Sequence, residues 1–124
     1  MGKTLDIVVV DDKVMITDLF DSYIRLSGAA VNIYTFNDPI KALEFINNNK
    51  HIDIIITDYK MPGLNGIELL QACPMNAIRI LISGYISDIA EEKLTELNAL
   101  FFEKPVPMKQ ISKIIEEKAC RNCR

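Results

Sequence analysis

The sequence predicts an α/β fold, a parallel sheet with helices on both faces. Three observations carry this. Apolar runs without polar alternation recur, most clearly at Leu5–Val10 and Ile54–Ile56, as strands buried on both faces require. Segments with apolar residues at helical spacing lie between them, so that strand and helix alternate five times along 124 residues. The strand-like runs also end in residues that a buried strand has no use for: Asp11 and Asp12, Asp58, Ser83 and Lys104.

The first strand, LDIVVV, runs into Asp11 and Asp12. From Lys13 to Ser27 the apolar residues have helical spacing, with Ile16, Phe20 and Ile24 on one line and Leu19, Tyr23 and Leu26 beside it; Gly28 stops the helix. A second strand follows at Val31–Phe36. Asp38 and Pro39 then supply an N-cap and a first-turn proline for a helix to about Asn47, with Ile40, Leu43 and Ile46 facing the sheet. The central stretch His51–Gly63, HIDIIITDYKMPG, carries the third strand into Thr57 and Asp58, and Met61, Pro62 and Gly63 end regular structure. Asn65 and Glu68 form a capping pair for a short helix that is over by Pro74. The fourth strand, Ile78–Ile82, leads to Ser83 and Gly84. Asp88 and Glu91 open a Glu-rich helix with a thin apolar face that runs to about Leu97. The fifth strand, Ala99–Phe102, delivers Glu103, Lys104 and Pro105, and Ile111, Ile114 and Ile115 mark the inner face of a closing helix.

Apolar residues make up 49% and charged residues 25%, ordinary values that indicate neither disorder nor a fibrous repeat. The length gives room for one domain, with a core over about residues 4–119 and residues 120–124 as a tail or the start of a linker. No apolar run approaches the ~20 residues of a membrane span, and no basic start precedes a long apolar core. The expectation is a cytoplasmic protein without a membrane partner. Cys73, Cys120 and Cys123 are too few for a disulfide framework, and the CxxC at 120–123 lacks the further ligands of a metal site. The net charge is −3, although from Lys104 onward six Lys or Arg stand against two Glu. This balance does not support direct nucleic-acid binding.

Open α/β sheets place their ligands at the carboxyl ends of the strands, where Asp11, Asp12, Asp58, Ser83 and Lys104 all fall. Asp58 alone would be explained as a turn cap. The strand ends DD, D, S and K, in that order and spacing, resemble the receiver domain of two-component response regulators, over almost the whole chain. The resemblance implies a flavodoxin-like, doubly wound five-stranded parallel sheet of order 2-1-3-4-5, in which Asp11, Asp12 and Asp58 share one pocket. Like charges about 4 Å apart repel by roughly 4 kcal/mol per pair at an effective dielectric near 20, so the pocket needs protons or a cation. Oxygen-only ligands favour Mg²⁺. The resemblance implies that Asp12, Asp58 and the Lys60 carbonyl bind the ion directly, with Asp11 acting through water.

It further implies that Asp58 is the nucleophile and phosphorylation site, taking a phosphoryl group from a sensor histidine kinase or a histidine phosphotransfer protein. Lys104 is then the second cation, Ser83 a hydroxyl donor to the phosphoryl group, and Phe101 a ring that turns inward to complete the switch. The signal would leave through the face of the fourth helix, fifth strand and fifth helix toward a downstream protein the sequence does not identify, and a phosphorylation-dependent homodimer is compatible with this scheme. Lys60 and Tyr85, each two positions past a site residue, flank the approach of water and are expected to tune the phosphoryl lifetime. Such a protein is a signalling phosphoacceptor, not an enzyme turning over a free substrate. Serine at 83 departs from the threonine common in the family, but keeps the hydroxyl.

Three other readings compete. A haloacid dehalogenase-type aspartyl-phosphate hydrolase would carry an aspartate two positions after its nucleophile, where this chain has Lys60. A flavodoxin-like electron carrier would need a hydroxyl- and glycine-rich loop where Asp11, Asp12 and Lys13 stand. A scaffold that never takes phosphate would keep the fold without the chemistry.

Overall fold

The computed structural model describes residues 4–28, 30–49, 51–73, 76–84 and 91–122. In chain order the elements are β1 (Leu5–Val10), α1 (Val14–Leu26), β2 (Val31–Phe36), α2 (Pro39–Asn48), β3 (Ile54–Asp58), α3 (Gly66–Gln71), β4 (Ile78–Ser83), α4 (Glu91–Leu97), β5 (Ala99–Glu103) and α5 (Met108–Asn122). The sheet order is β2-β1-β3-β4-β5, with every neighbouring pair parallel. Among the described residues no helix is long and apolar enough to cross a membrane.

The unalternating strands are explained by a core on each face of the sheet. Val8, Val10, Ile55 and Leu81 pack with Ala42, Ile46, Leu69, Leu70 and Leu97 of α2, α3 and α4. Ile7, Val9, Ile54, Ile56, Ile80 and Ile82 point the other way, onto Phe20 and Ile24 of α1 and Ile111 and Ile115 of α5. Each fully buried Ile or Leu contributes about 1.5–3 kcal/mol, so both faces drive the same topology.

The helix ends follow local chemistry. Gly28, at φ +79°, closes α1. The Asp38 carboxylate accepts from Ile40 N at 2.9 Å, with Pro39 as the first residue of α2. Asn65 and Glu68 exchange side-chain-to-backbone bonds, both 2.9 Å, at the start of α3.

Three side chains depart from the helical stripes that the sequence suggests. Leu19 and Leu26 on α1 are 47% and 86% exposed, and Ile40 on α2 is 49% exposed. The sheet covers only a narrow line of α1, taken by Thr17, Phe20 and Ile24. At the start of α2, Pro39 and Ala42 take the buried places, while Ile40 lies over the Gly63 turn. Pro74 and Asp88, expected at a helix end and a helix start, lie outside the described residues.

Gly66 sets how closely α3 approaches the carboxyl end of β3. A Cβ there would overlap the Asp58 carbonyl oxygen and stand 2.7 Å from Leu81 Cδ1. Gly66→Ala gains about 1 kcal/mol of helix propensity but meets an overpacking cost of about 1–3 kcal/mol against backbone that cannot yield. A lower urea midpoint is expected, and an unchanged or higher one would contradict this close fit.

Candidate functional site

Asp58 is the last residue of β3 and is 6% exposed. Because β1 pairs with β3 through Val10 and Thr57, the residue that follows β1, Asp11, emerges beside it. Carboxylate oxygens of Asp11, Asp12 and Asp58 lie within 4.8 Å of one another. From the far side of β4, Lys104 reaches back across the sheet end, and its Nζ stands 3.1 Å from Asp58 Oδ1. Lys104 N donates to the Ser83 carbonyl at 2.8 Å, which continues the β4–β5 ladder up to the lysine; the Lys104–Pro105 peptide is cis. Lys13, Asp58, Lys60, Ser83, Gly84 and Lys104 line a cavity of ≈ 250 Å³. Asp12 opens onto the adjoining groove, with Asn37, Asp38, Pro62 and Gly63.

The three carboxylates repel one another. At separations up to 4.8 Å and an effective dielectric near 20, each carboxylate pair costs roughly 3–4 kcal/mol, so three pairs cost on the order of 10 kcal/mol. The Lys104–Asp58 pair at 3.1 Å returns about 5 kcal/mol on the same scale. Burial, then the neighbouring Asp58 and Asp12 charges, push the Asp11 carboxyl above its ordinary value, against the pull of the Lys13 N–H and the Lys104 ammonium. Asp12 Oδ1 is buried and receives no hydrogen bond among the described residues.

The sheet's other end offers a contrast. There Asp53 accepts from Asp6 N at 2.8 Å and faces His51 Nε2 at 3.2 Å, and Asp6 accepts from Asn32 Nδ2 at 3.0 Å. Those carboxylates are met by protein donors. At the carboxyl end Asp12 Oδ1 is buried without a hydrogen bond among the described residues, and an oxygen-only donor set of this kind fits a small, hard divalent cation.

Asp11, Asp12, Asp58, Lys60, Ser83 and Lys104, all singled out in the sequence, are thus gathered at one end of the sheet. Phe101 is on β5 opposite Leu81, half-buried on the α2–α3–α4 side. Tyr85 lies outside the described residues. Sequence reasoning passed over three supports. Lys13 N donates to Asp11 Oδ1 at 2.9 Å. Asn37 Nδ2 donates to the Asp11 carbonyl at 2.8 Å and to Thr17 Oγ1 at 3.0 Å. Thr57 Oγ1 donates to the Asp58 carbonyl at 2.9 Å. Lys13, adjacent to the acidic pair, was the one with a local signal; Asn37 reads as an ordinary turn residue until β2 is placed beside β1.

Because the native state holds the Asp11 proton more tightly than the unfolded chain, this group's contribution is full below the ordinary aspartate value of 3.8 and is lost as pH rises through the folded value. At pH 7 its charge is therefore destabilising. In EDTA-containing buffer Asp11→Asn is expected to melt above the parent at pH 7, with the advantage shrinking on acidification. A parent more stable than the variant at pH 7 would contradict the repulsion.

Comparison with known proteins agrees with this geometry. The model of the response regulator receiver domain matches residues 7–116. The chain is 28% identical over 116 residues to the putative two-component response regulator ARR13 of Arabidopsis thaliana, a match covering 90% of this chain and 20% of that protein. It spans about a fifth of the length of this and a second Arabidopsis regulator. A response regulator receiver domain protein from Clostridium thermocellum superposes with a TM-score of 0.80 at 26% identity, covering 94% of this chain and 95% of the other. The receiver domain of Ssk1 from Saccharomyces cerevisiae, crystallised with the histidine phosphotransfer protein Ypd1, shares the fold with a TM-score of 0.76 at 18% identity, covering 97% and 92% of the two chains. The chain belongs to the response regulator receiver family, the signalling domain of two-component systems.

Proposed function

We propose that this receiver accepts a phosphoryl group on Asp58 from the phosphohistidine of a sensor histidine kinase or a histidine phosphotransfer protein. A carboxylate oxygen of Asp58 attacks phosphorus, the P–N bond breaks, and the imidazole leaves with the bond's electron pair; the product is an acyl phosphate. The observation that carries the reading is the convergence of the Asp11, Asp12 and Asp58 carboxylates with the Lys104 ammonium, 3.1 Å from Asp58, at one end of the sheet. A site built only to bury an ion pair would not add two more like charges.

Mg²⁺ would be held by Asp12, Asp58 and the Lys60 carbonyl, with Asp11 through water, and when bound it neutralises phosphoryl oxygens. The protein's own groups do the rest. The Asp58 backbone is fixed by the close approach of α3 at Gly66, which orients the nucleophile. Lys104 pairs with Asp58 before transfer and with a phosphoryl oxygen afterwards. The Ser83 hydroxyl donates to another phosphoryl oxygen, drawing the chain after β4 toward the site, and Phe101 turns inward behind it. Modification adds about −1.5 to −2 charges, and a bias of a few kcal/mol is enough to shift a two-state α4–β5–α5 face toward its partner-binding form. The downstream partner is a protein, and a phosphorylation-dependent homodimer is one form the output can take. Lys60, which lines the cavity, is assigned with Tyr85 the role of restricting water and lengthening the phosphoryl lifetime. The chemistry is confined to the protein's own phosphorylation and dephosphorylation.

Intact mass after incubation with Mg²⁺ and a small phosphodonor tests the reading. One phosphoryl adduct on the parent, none on Asp58→Asn and none with excess EDTA are expected. An adduct on Asp58→Asn would move the acceptor elsewhere, an adduct that survives EDTA would remove the metal, and a parent that stays unmodified would leave a scaffold.

A further inference from the structure

β4 carries a charge where a doubly buried strand should have none. Its sequence IRILIS sets Arg79 between two isoleucines, with 4% of its surface exposed. Backbone carbonyls receive the guanidinium: Nη1 donates to Leu97 O at 2.7 Å and Nη2 to Cys73 O at 2.9 Å. Leu97 is the last residue of α4, and Cys73 lies two residues past α3. The last carbonyls of a helix lack intrahelical donors and carry the negative end of its dipole. A planar, permanently charged fork of donors can serve two such ends at once, whereas a lysine is a point charge.

α4 has few apolar anchors among its described side chains. It is seven residues long, too short to be stable alone. Among its described side chains Leu97 is the one that is buried, and Leu94 is half-buried. Its end passes through a single residue, Asn98 at φ +53°, into β5 at Ala99, which leaves no slack there. Along β4, Arg79, Leu81 and Ser83 alternate with Ile80 and Ile82, so the clamp and the hydroxyl at the site share the face on which α3 and α4 lie.

We propose that Arg79 is a positioning residue that pins the C-terminal end of α4, so that rearrangement near Ser83 turns the helix about that end and displaces its opposite end. The turning rests on the phosphoacceptor reading given above. The pin does not, and can be tested on the unmodified protein.

Amide hydrogen exchange read by mass spectrometry would compare the parent, Arg79→Gln, Arg79→Lys and, as a control for general loss of stability, Ile80→Val. Without phosphodonor, the amides of residues 95–98 are expected to exchange roughly tenfold faster in Arg79→Gln, and to a lesser degree in Arg79→Lys, while β1 and β3 stay protected. Ile80→Val should show no such local effect. If Arg79→Gln does not fold, Arg79→Lys supplies the comparison. Unchanged exchange at 95–98 in the folded Arg79 variants, or an equal acceleration in Ile80→Val, overturns the pin. With Mg²⁺ and phosphodonor, the same amides of the parent should stay as slow as before, and their acceleration on modification would overturn the pivot. Intact mass of each sample separates the two ideas: an unmodified parent contradicts the phosphoacceptor reading, while the unmodified comparison still decides the pin.

Discussion

Three crowded carboxylates, one of them paired with Lys104, at the carboxyl end of the sheet form the constraint on which the rest depends. Repulsion among Asp11, Asp12 and Asp58 amounts to several kcal/mol on the scale of screened charges a few ångströms apart, and the Lys104–Asp58 pair offsets part of it. A fold of marginal stability does not gather like charges at one point without a use for them. An acidic cluster of this kind could hold a divalent cation.

The architecture brings the groups together at little structural cost. In a parallel sheet with short connections, side chains far apart in sequence emerge side by side at one edge, so Asp11 of the first strand and Asp58 of the third become neighbours through a single register pairing, Val10 with Thr57. Apolar residues fill both faces up to those last residues. Where α3 presses closest, a glycine removes the obstructing Cβ. Backbone and amide donors from Lys13 and Asn37 hold Asp11 without neutralising it. Nearer the start of β4 the same economy recurs, with Arg79 donating to the carbonyls of Leu97 and Cys73.

Much of this was legible in the residues. Runs such as IVVV and IIIT admit only strands covered on both sides, and Asp38–Pro39 and Asn65–Glu68 mark helix starts that the hydrogen bonds bear out. Strand order was not in the periodicity and came only with the family resemblance of the strand ends. Burial of individual helix residues was less legible, because Leu26 and Ile40 have the right spacing but remain exposed. Asn37, Gly66 and Arg79 were opaque for a common reason: each acts on a group that only the folded chain brings near. Arg79 is an evident anomaly within IRILIS, yet one of its acceptors is 18 residues away.

The account's central claim, that the acidic trio is a cation site shared with Lys104, is tested most directly by crystals grown with Mn²⁺ in place of Mg²⁺ and an anomalous difference map. One strong peak in direct contact with the Asp12 and Asp58 carboxylates, with Lys104 still beside Asp58, is the predicted result. Well-ordered carboxylates with no anomalous density between them, or a Mn²⁺ peak only elsewhere on the chain, would contradict it.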